Sequence, residues 1–154
     1  MKKITPCLWF DANAEEAANF YVSVFRNSKV GDISYYGEDQ PLPAGTVLTV
    51  SFTLDGNEFL GLNGGPVFKF NEATSFMIDC KDQDDIDYYW DRLVEGGGEY
   101  SVCGWLKDRY GLSWQVVPHN MGRLVSGPNG DKVMDAMMQM TRPDMARLEA
   151  AARG

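Results

Sequence analysis

The apolar positions fall into short stretches that switch between strand and helix spacing. Ile4 to Phe10 is a short apolar run carrying Trp9 and Phe10, which predicts a buried strand. Asp11-Ala12-Asn13 brings turn and cap chemistry, and Asn13 with Glu16 reads as a loose capping box. Ala17, Phe20, Tyr21, Val24 and Phe25 recur at helical spacing and predict an amphipathic helix over ~14–25. Val30, Ile33 and Tyr35 open a second strand, which ends in a loop from Gly37 to Gly45 containing Pro41 and Pro43. Thr46 to Leu54 alternates and is rich in β-branched residues. Asp55-Gly56 is a hairpin signal, and Asn57 to Leu62 is the returning strand. The order is β-α-β-β-β.

The same order then recurs. Ser75 to Asp79 reads as a buried strand, and Asp82 to Asp85 as an acidic helix start suited to the positive end of a helix dipole. Ile86, Tyr89, Trp90 and Leu93 repeat the spacing of Ala17, Phe20, Tyr21 and Val24, and Gly96-Gly97-Gly98 ends the helix. Strands follow near Glu99–Val102 and Gly104–Arg109. Tyr110-Gly111 then matches Asp55-Gly56, and Leu112 to Val117 matches Asn57 to Leu62. The expected class is α+β: two βαβββ modules, 3–63 and 73–118, within a single domain, with a helical extension over 119–154. In that extension Val133, Met134, Met137, Met138 and Met140 form an apolar stripe after the Gly127-Pro128-Asn129-Gly130 turn. A last Ala-rich helix is expected over ~143–152, capped near Thr141. The Met-rich stripe is too apolar for a free surface helix and must cover its own sheet or a partner. We expect a homodimer with this segment at or beside the interface, two-fold pairing being the commonest closed assembly.

Composition narrows the function. The net charge of the 154 residues is −8, and no Lys/Arg cluster is present, which argues against nucleic acid. No apolar run approaches the ~20 residues of a membrane span. Lys2 and Lys3 are followed by no apolar stretch of a secretory signal. Cys7, Cys80 and Cys103 are odd in number and lack metal-ligand spacing, so a reducing cytoplasm is expected. His119 is the sole histidine; at a strand end it reads as a surface residue, or as a base if the tail covers it. The acidic run Asp79, Asp82, Asp84, Asp85 and Asp87 lacks the central Gly and closing Glu of a calcium loop, and reads as helix capping.

Pro6-Cys7-Leu8-Trp9-Phe10, Ala14-Glu15-Glu16-Ala17 leading to Phe20-Tyr21, Leu62-Asn63-Gly64-Gly65-Pro66 with Phe68-Lys69-Phe70-Asn71, and Cys103-Gly104-Trp105-Leu106-Lys107-Asp108-Arg109 running into Gly111-Leu112-Ser113-Trp114-Gln115 carry a family resemblance. The duplicated βαβββ pattern resembles the vicinal oxygen chelate superfamily of glyoxalase, bleomycin-resistance and dioxygenase proteins. These segments, over ~4–152, resemble its PhnB-like family, labelled 3-demethylubiquinone-9 3-methyltransferase.

The label implies methyl transfer from S-adenosylmethionine, yet no Gly-rich loop joins a strand to a helix, and no such cofactor is expected. In metal-dependent superfamily members a ligand stands four residues after the turn glycine of the last strand. Here those places are Leu60 and Gln115, and the first strands offer no His or Glu. A catalytic divalent ion needs about three protein ligands, so none is expected. Gln115 then becomes a hydrogen-bonding group in a mostly apolar cup. Trp105, Lys107 and Arg109 share one face if their strand is regular. That face either lines a cup for an anionic or aromatic ligand or is an outer face covered by the tail. Phe68 and Phe70 shape the rim, and Glu58 stands two residues from Leu60. The expected partner is thus a small molecule; catalytic residues are unassigned. A ligand-sequestering protein, as in the bleomycin-resistance branch, and a metal-dependent lyase, isomerase or dioxygenase are the alternatives.

Overall fold

The computed structural model describes residues 2–154, which divide between Lys69 and Phe70 into two compact units. In the first, β1 (Cys7–Phe10) leads to α1 (Ala14–Val24) and then to β2 (Lys29–Tyr35), β3 (Val47–Leu54) and β4 (Asn57–Asn63). The sheet order is β1-β4-β3-β2, with β1 parallel to β4 and the other pairs antiparallel. Val50, Phe52 and Leu54 alternate inward, and the Phe52 ring stacks between Tyr21 of α1 and Phe59. The opposite face carries Glu58, Leu60 and Leu62 of β4 with Thr49, Ser51 and Thr53 of β3.

The second unit repeats this plan with β5 (Ser75–Cys80), α2 (Gln83–Val94), β6 (Glu99–Tyr100), β7 (Trp105–Lys107) and β8 (Ser113–Pro118), in sheet order β5-β8-β7-β6. Ile86, Trp90 and Leu93 bury one stripe of α2, and Leu106, Trp114 and Val116 are its buried strand partners. Among the described residues the architecture is α+β: two four-stranded mixed sheets and five helices.

The helix starts differ from the capping expected at Asn13. The Asn13 side chain makes no cap bond. Instead Ala14 N–H donates to Oδ1 of Asn63 at 2.8 Å, from the far end of β4. Asn63 is 2% exposed; its Nδ2 donates to Val47 O, and its carbonyl accepts the Tyr36 hydroxyl. α2 is capped locally, Asp82 accepting from Asp85 N–H at 2.9 Å.

The strands around the second hairpin are shorter than their apolar pattern suggested. β6 stops at Tyr100 because Trp105 N–H donates to Val102 O, closing a turn with Cys103 and Gly104 at positive φ. At Gly104, with φ 82°, a Cβ would also lie 2.6 Å from Val116 O, so only glycine fits. β7 stops at Lys107 because Asp108 turns its carboxylate onto the following backbone. β1 begins at Cys7 rather than Ile4, which is exposed.

The tail forms α3 (Met121–Ser126), which the sequence pattern did not show, then α4 (Gly130–Met138) and α5 (Met145–Arg153). Val133, Met137 and Met140 of the apolar stripe join Leu124 and Leu148 in one buried cluster, with Cys103 packed against it. Met134 and Met138 stay exposed. α5 is capped by Asp144, not near Thr141: Pro143 lies outside the helix and Asp144 accepts from Arg147 N–H. The tail is tied to α2 by Gln83, whose Nε2 donates to Pro143 O and whose Oε1 accepts from Met145 N–H. Cys103 and Gly104 N–H donate to Met140 and Thr141 carbonyls at 2.8 and 2.9 Å.

Asn63→Ala removes the acceptor of Ala14 N–H and the donor to Val47 O together. We expect a loss of about 2–3 kcal/mol of stability in urea unfolding. A loss under about 0.5 kcal/mol would reject the long-range cap as a stabilising contact.

Candidate functional site

The outward face of the second sheet is built in two rows. Registry sets Lys107 beside Ser113 and Ser113 beside Ser75 in one row, and Trp105 beside Gln115 and Gln115 beside Met77 in the next. Side-chain alternation then sends Trp114 and Val116 inward, where both are buried. Trp114 packs against Phe76 with ring centroids 5.6 Å apart. The hairpin that presents these rows is held by one carboxylate. Asp108 Oδ1 accepts Tyr110 and Leu112 N–H at 2.9 and 3.1 Å, while Oδ2 accepts Trp114 Nε1–H at 2.9 Å.

A groove of about 430 Å³ opens on this face, lined by Glu72, Glu99, Val102, Cys103, Trp105, Lys107 and Ser113, among others. Lys107 is ion-paired with Glu72 and stands opposite Glu99 in the β6–β7 ladder. The Glu72 carboxylate, with a smaller contribution from Glu99, holds the Lys107 ammonium above the ordinary lysine value, and Lys107 holds Glu72 below the usual carboxylate range. Gln115 donates from Nε2 to Ser75 Oγ at 2.9 Å.

The residues singled out from sequence are thus divided. Trp105, Lys107 and Gln115 share the outward face. Arg109 does not join them: β7 has ended, and its Nε donates to Glu95 O at 3.0 Å at the C-terminal end of α2. A cation there complements the negative end of the helix dipole. In the first unit Phe68 meets the Trp9 ring edge-on at 5.0 Å, while Trp9 Nε1 donates to Gly65 O. Gly64 lies against the same indole, where a Cβ would overlap the ring. Glu58 accepts the backbone N–H of Lys2 at 2.8 Å and lines a groove of about 400 Å³ with Thr5, Lys29, Asp32 and Ser51. Phe70 is half-buried in the second unit. Sequence reasoning missed Glu72, a loop residue without a pattern, and Ser113, whose even offset from Gln115 was the available signal.

The places where the family resemblance puts cofactor contacts can be compared with the side chains found there. The register pairs Cys7 with Leu60 and Met77 with Gln115, which supplies a thiol, a thioether and one amide where a hard divalent ion wants His or carboxylate. No three His, Cys, Asp or Glu side chains converge among the described residues. For S-adenosylmethionine, the β1–α1 connection contains no glycine. The first helical amide there is taken by Asn63, and Glu15 and Glu16 fill the first turn. At α2, Asp82, Asp84 and Asp85 crowd the same place.

Paired βαβββ units with mixed four-stranded sheets define the vicinal oxygen chelate fold. Comparison with solved structures agrees. A PhnB protein of Bacillus cereus, described as a 3-demethylubiquinone-9 3-methyltransferase, is 36% identical over 76% of this chain and 99% of its own, with a TM-score of 0.68. Protein PA1353 of Pseudomonas aeruginosa is 19% identical over 77% of this chain and 98% of its own, at TM-score 0.61. The fosfomycin resistance protein FosX of Mesorhizobium loti, 14% identical over 75% of this chain and 91% of its own, shares the fold at TM-score 0.53. The family model described as 3-demethylubiquinone-9 3-methyltransferase matches residues 2–117, and the chain belongs to that family. Comparison with curated proteins returns no match.

The cysteines give a direct check on the site's surroundings. Burial, aided by Asp85, Asp79 and Asp82, pushes the Cys80 thiol up to about 12, whereas Cys7 is exposed. Iodoacetamide at pH 8 should therefore label Cys7 and leave Cys80 unmodified in the folded protein, by peptide mass mapping. Rapid Cys80 labelling under native conditions would contradict the burial of the β5 end.

Proposed function

We propose that this protein holds a small ligand on the outward sheet faces, without a resident transition metal and without transferring a methyl group from S-adenosylmethionine. The groove at Trp105, Lys107 and Ser113 carries this reading: an indole wall, a hydroxyl and an ion pair converge on one concave face, the mixture by which small-molecule sites combine apolar area with few polar groups. Of the aromatic and anionic ligands expected from sequence, the aromatic kind is favoured. Lys107 is engaged by Glu72, and its surface pair leaves no uncompensated cation for an anion. The donor sets described above speak against both cofactors. No poised acid–base pair stands at the groove among the described residues, and the reading is one of ligand binding.

Two measurements test it. Protein purified without chelator should carry well under one zinc, iron or manganese per chain by elemental analysis, and calorimetry with S-adenosylmethionine should give no heat. A near-stoichiometric metal lost in Gln115→Ala, or micromolar binding of S-adenosylmethionine, would overturn it.

The assembly is a further part of the reading. Exposed Met134 and Met138 on α4 support a homodimer with the tail beside the interface, since the rest of the stripe is already used inside the tail's own cluster. Light scattering at tens of micromolar should give twice the chain mass. Met134→Glu with Met138→Glu should shift it toward monomer; a dimer indifferent to both changes places the interface elsewhere.

A further inference from the structure

Ser113 is the least explained polar group on this face. The residue is 1% exposed, and its hydroxyl is buried with no hydrogen-bond partner. It nevertheless lines the groove. Buried hydroxyls are ordinarily satisfied, because leaving one unpaired forfeits its hydration for nothing. Ser75, its partner across β5 and β8, takes its bond from Gln115 instead. What lies beside Ser113 on the other side is Lys107, whose pair with Glu72 has side chains 38% and 59% exposed. An exposed pair of long side chains contributes little to stability. It is therefore the part of the groove wall that a ligand can move aside to reach the hydroxyl.

The charges around it select the ligand. Lys107 stands between Glu72 and Glu99, and both raise its affinity for its proton. One ammonium facing two carboxylates leaves the groove net negative, in a chain of net charge −8. A carboxylate entering here meets two like charges, whereas an amine or a hydroxyl meets acceptors. The half-buried Trp105 indole, one register row away, offers a face on which a ring can stack and a cation can sit.

We propose that Ser113 is the polar anchor of the groove, and that the ligand class is a small aromatic bearing an amine or hydroxyl, with carboxylates rejected. This rests on the reading that the groove holds a small ligand, and it names that ligand's chemistry.

The test uses the full chain, ¹⁵N-labelled, titrated with benzylamine, benzyl alcohol and benzoate while amide and indole shifts are followed. At an ordinary ~0.5 kcal/mol per heavy atom, molecules this small bind on the order of millimolar, which the method reads. The expected result is saturable shifts at 101–107 and 113 with the amine and the alcohol, and binding of benzoate about fivefold or more weaker. Ser113→Ala should weaken the alcohol about fivefold, and Glu72→Gln should strengthen benzoate relative to benzylamine. Ser113→Ala should also melt at or above the wild-type temperature, since it removes an unpaired buried hydroxyl. A fall beyond about 3 °C would mean that the hydroxyl has an internal partner, and would overturn the anchor. Benzoate binding best at these residues would overturn the ligand class while leaving a groove that binds small molecules. No shift at the groove with any of the three would overturn both.

Discussion

The Asp108 carboxylate is the contact on which the outward face of the second sheet depends. It is 2% exposed, and a buried anion is tolerable only when its lone pairs are filled. Two backbone amides and the Trp114 indole fill them. Those three bonds fix where β7 ends, where β8 begins and which way Trp114 points. Strand alternation then leaves no freedom for the neighbours: with Trp114 inward, Ser113 and Gln115 must face out, opposite Lys107 and Trp105. The face that carries the groove is thus set by a residue on its hidden side.

The first unit solves a similar problem with Asn63. An amide can accept and donate at once, so one side chain closes the start of α1 and an edge of β3. The second unit has Pro118 at the corresponding end of β8, paired with Cys80 as Asn63 is with Phe10. Proline has no side-chain donor or acceptor, and α2 is capped by its own Asp82 instead. The duplicated units therefore share topology but stabilise their helix starts by different chemistry, one long-range and one local.

That difference explains what was legible in the sequence. Element order and class followed from periodicity, because burial of Tyr21, Phe52, Trp90 and Trp114 is a repeated pattern of large apolar residues. Capping was misplaced at Asn13 because the true acceptor lies 49 residues away, beyond any local motif. Arg109 was grouped with Lys107 by even spacing, an inference that holds only while a strand continues. Asp108 ends the strand by bonding forward, and Arg109 goes to the end of α2. Of the candidate site, Trp105, Lys107 and Gln115 could be read from alternation. Glu72 could not, since it reaches Lys107 from a loop whose path only the fold determines.

The tail lies beyond the 2–117 span of the family match, yet it closes the hydrogen bonding of the turn that follows β6. Cys103 and Gly104 point their amides away from the sheet, and a partner must be found for each. Met140 and Thr141 supply the carbonyls, and Pro143 with Met137 packs where a Gly104 side chain would stand. Cys103, held at φ 58°, is also part of the groove wall. A non-glycine residue in that left-handed conformation persists only when its surroundings over-determine it. Here the surroundings are the tail's two carbonyls and its apolar cluster. The extension is thus joined to the groove through one turn, and the cluster that buries Val133, Met137 and Met140 of its stripe also packs against Cys103 of that turn.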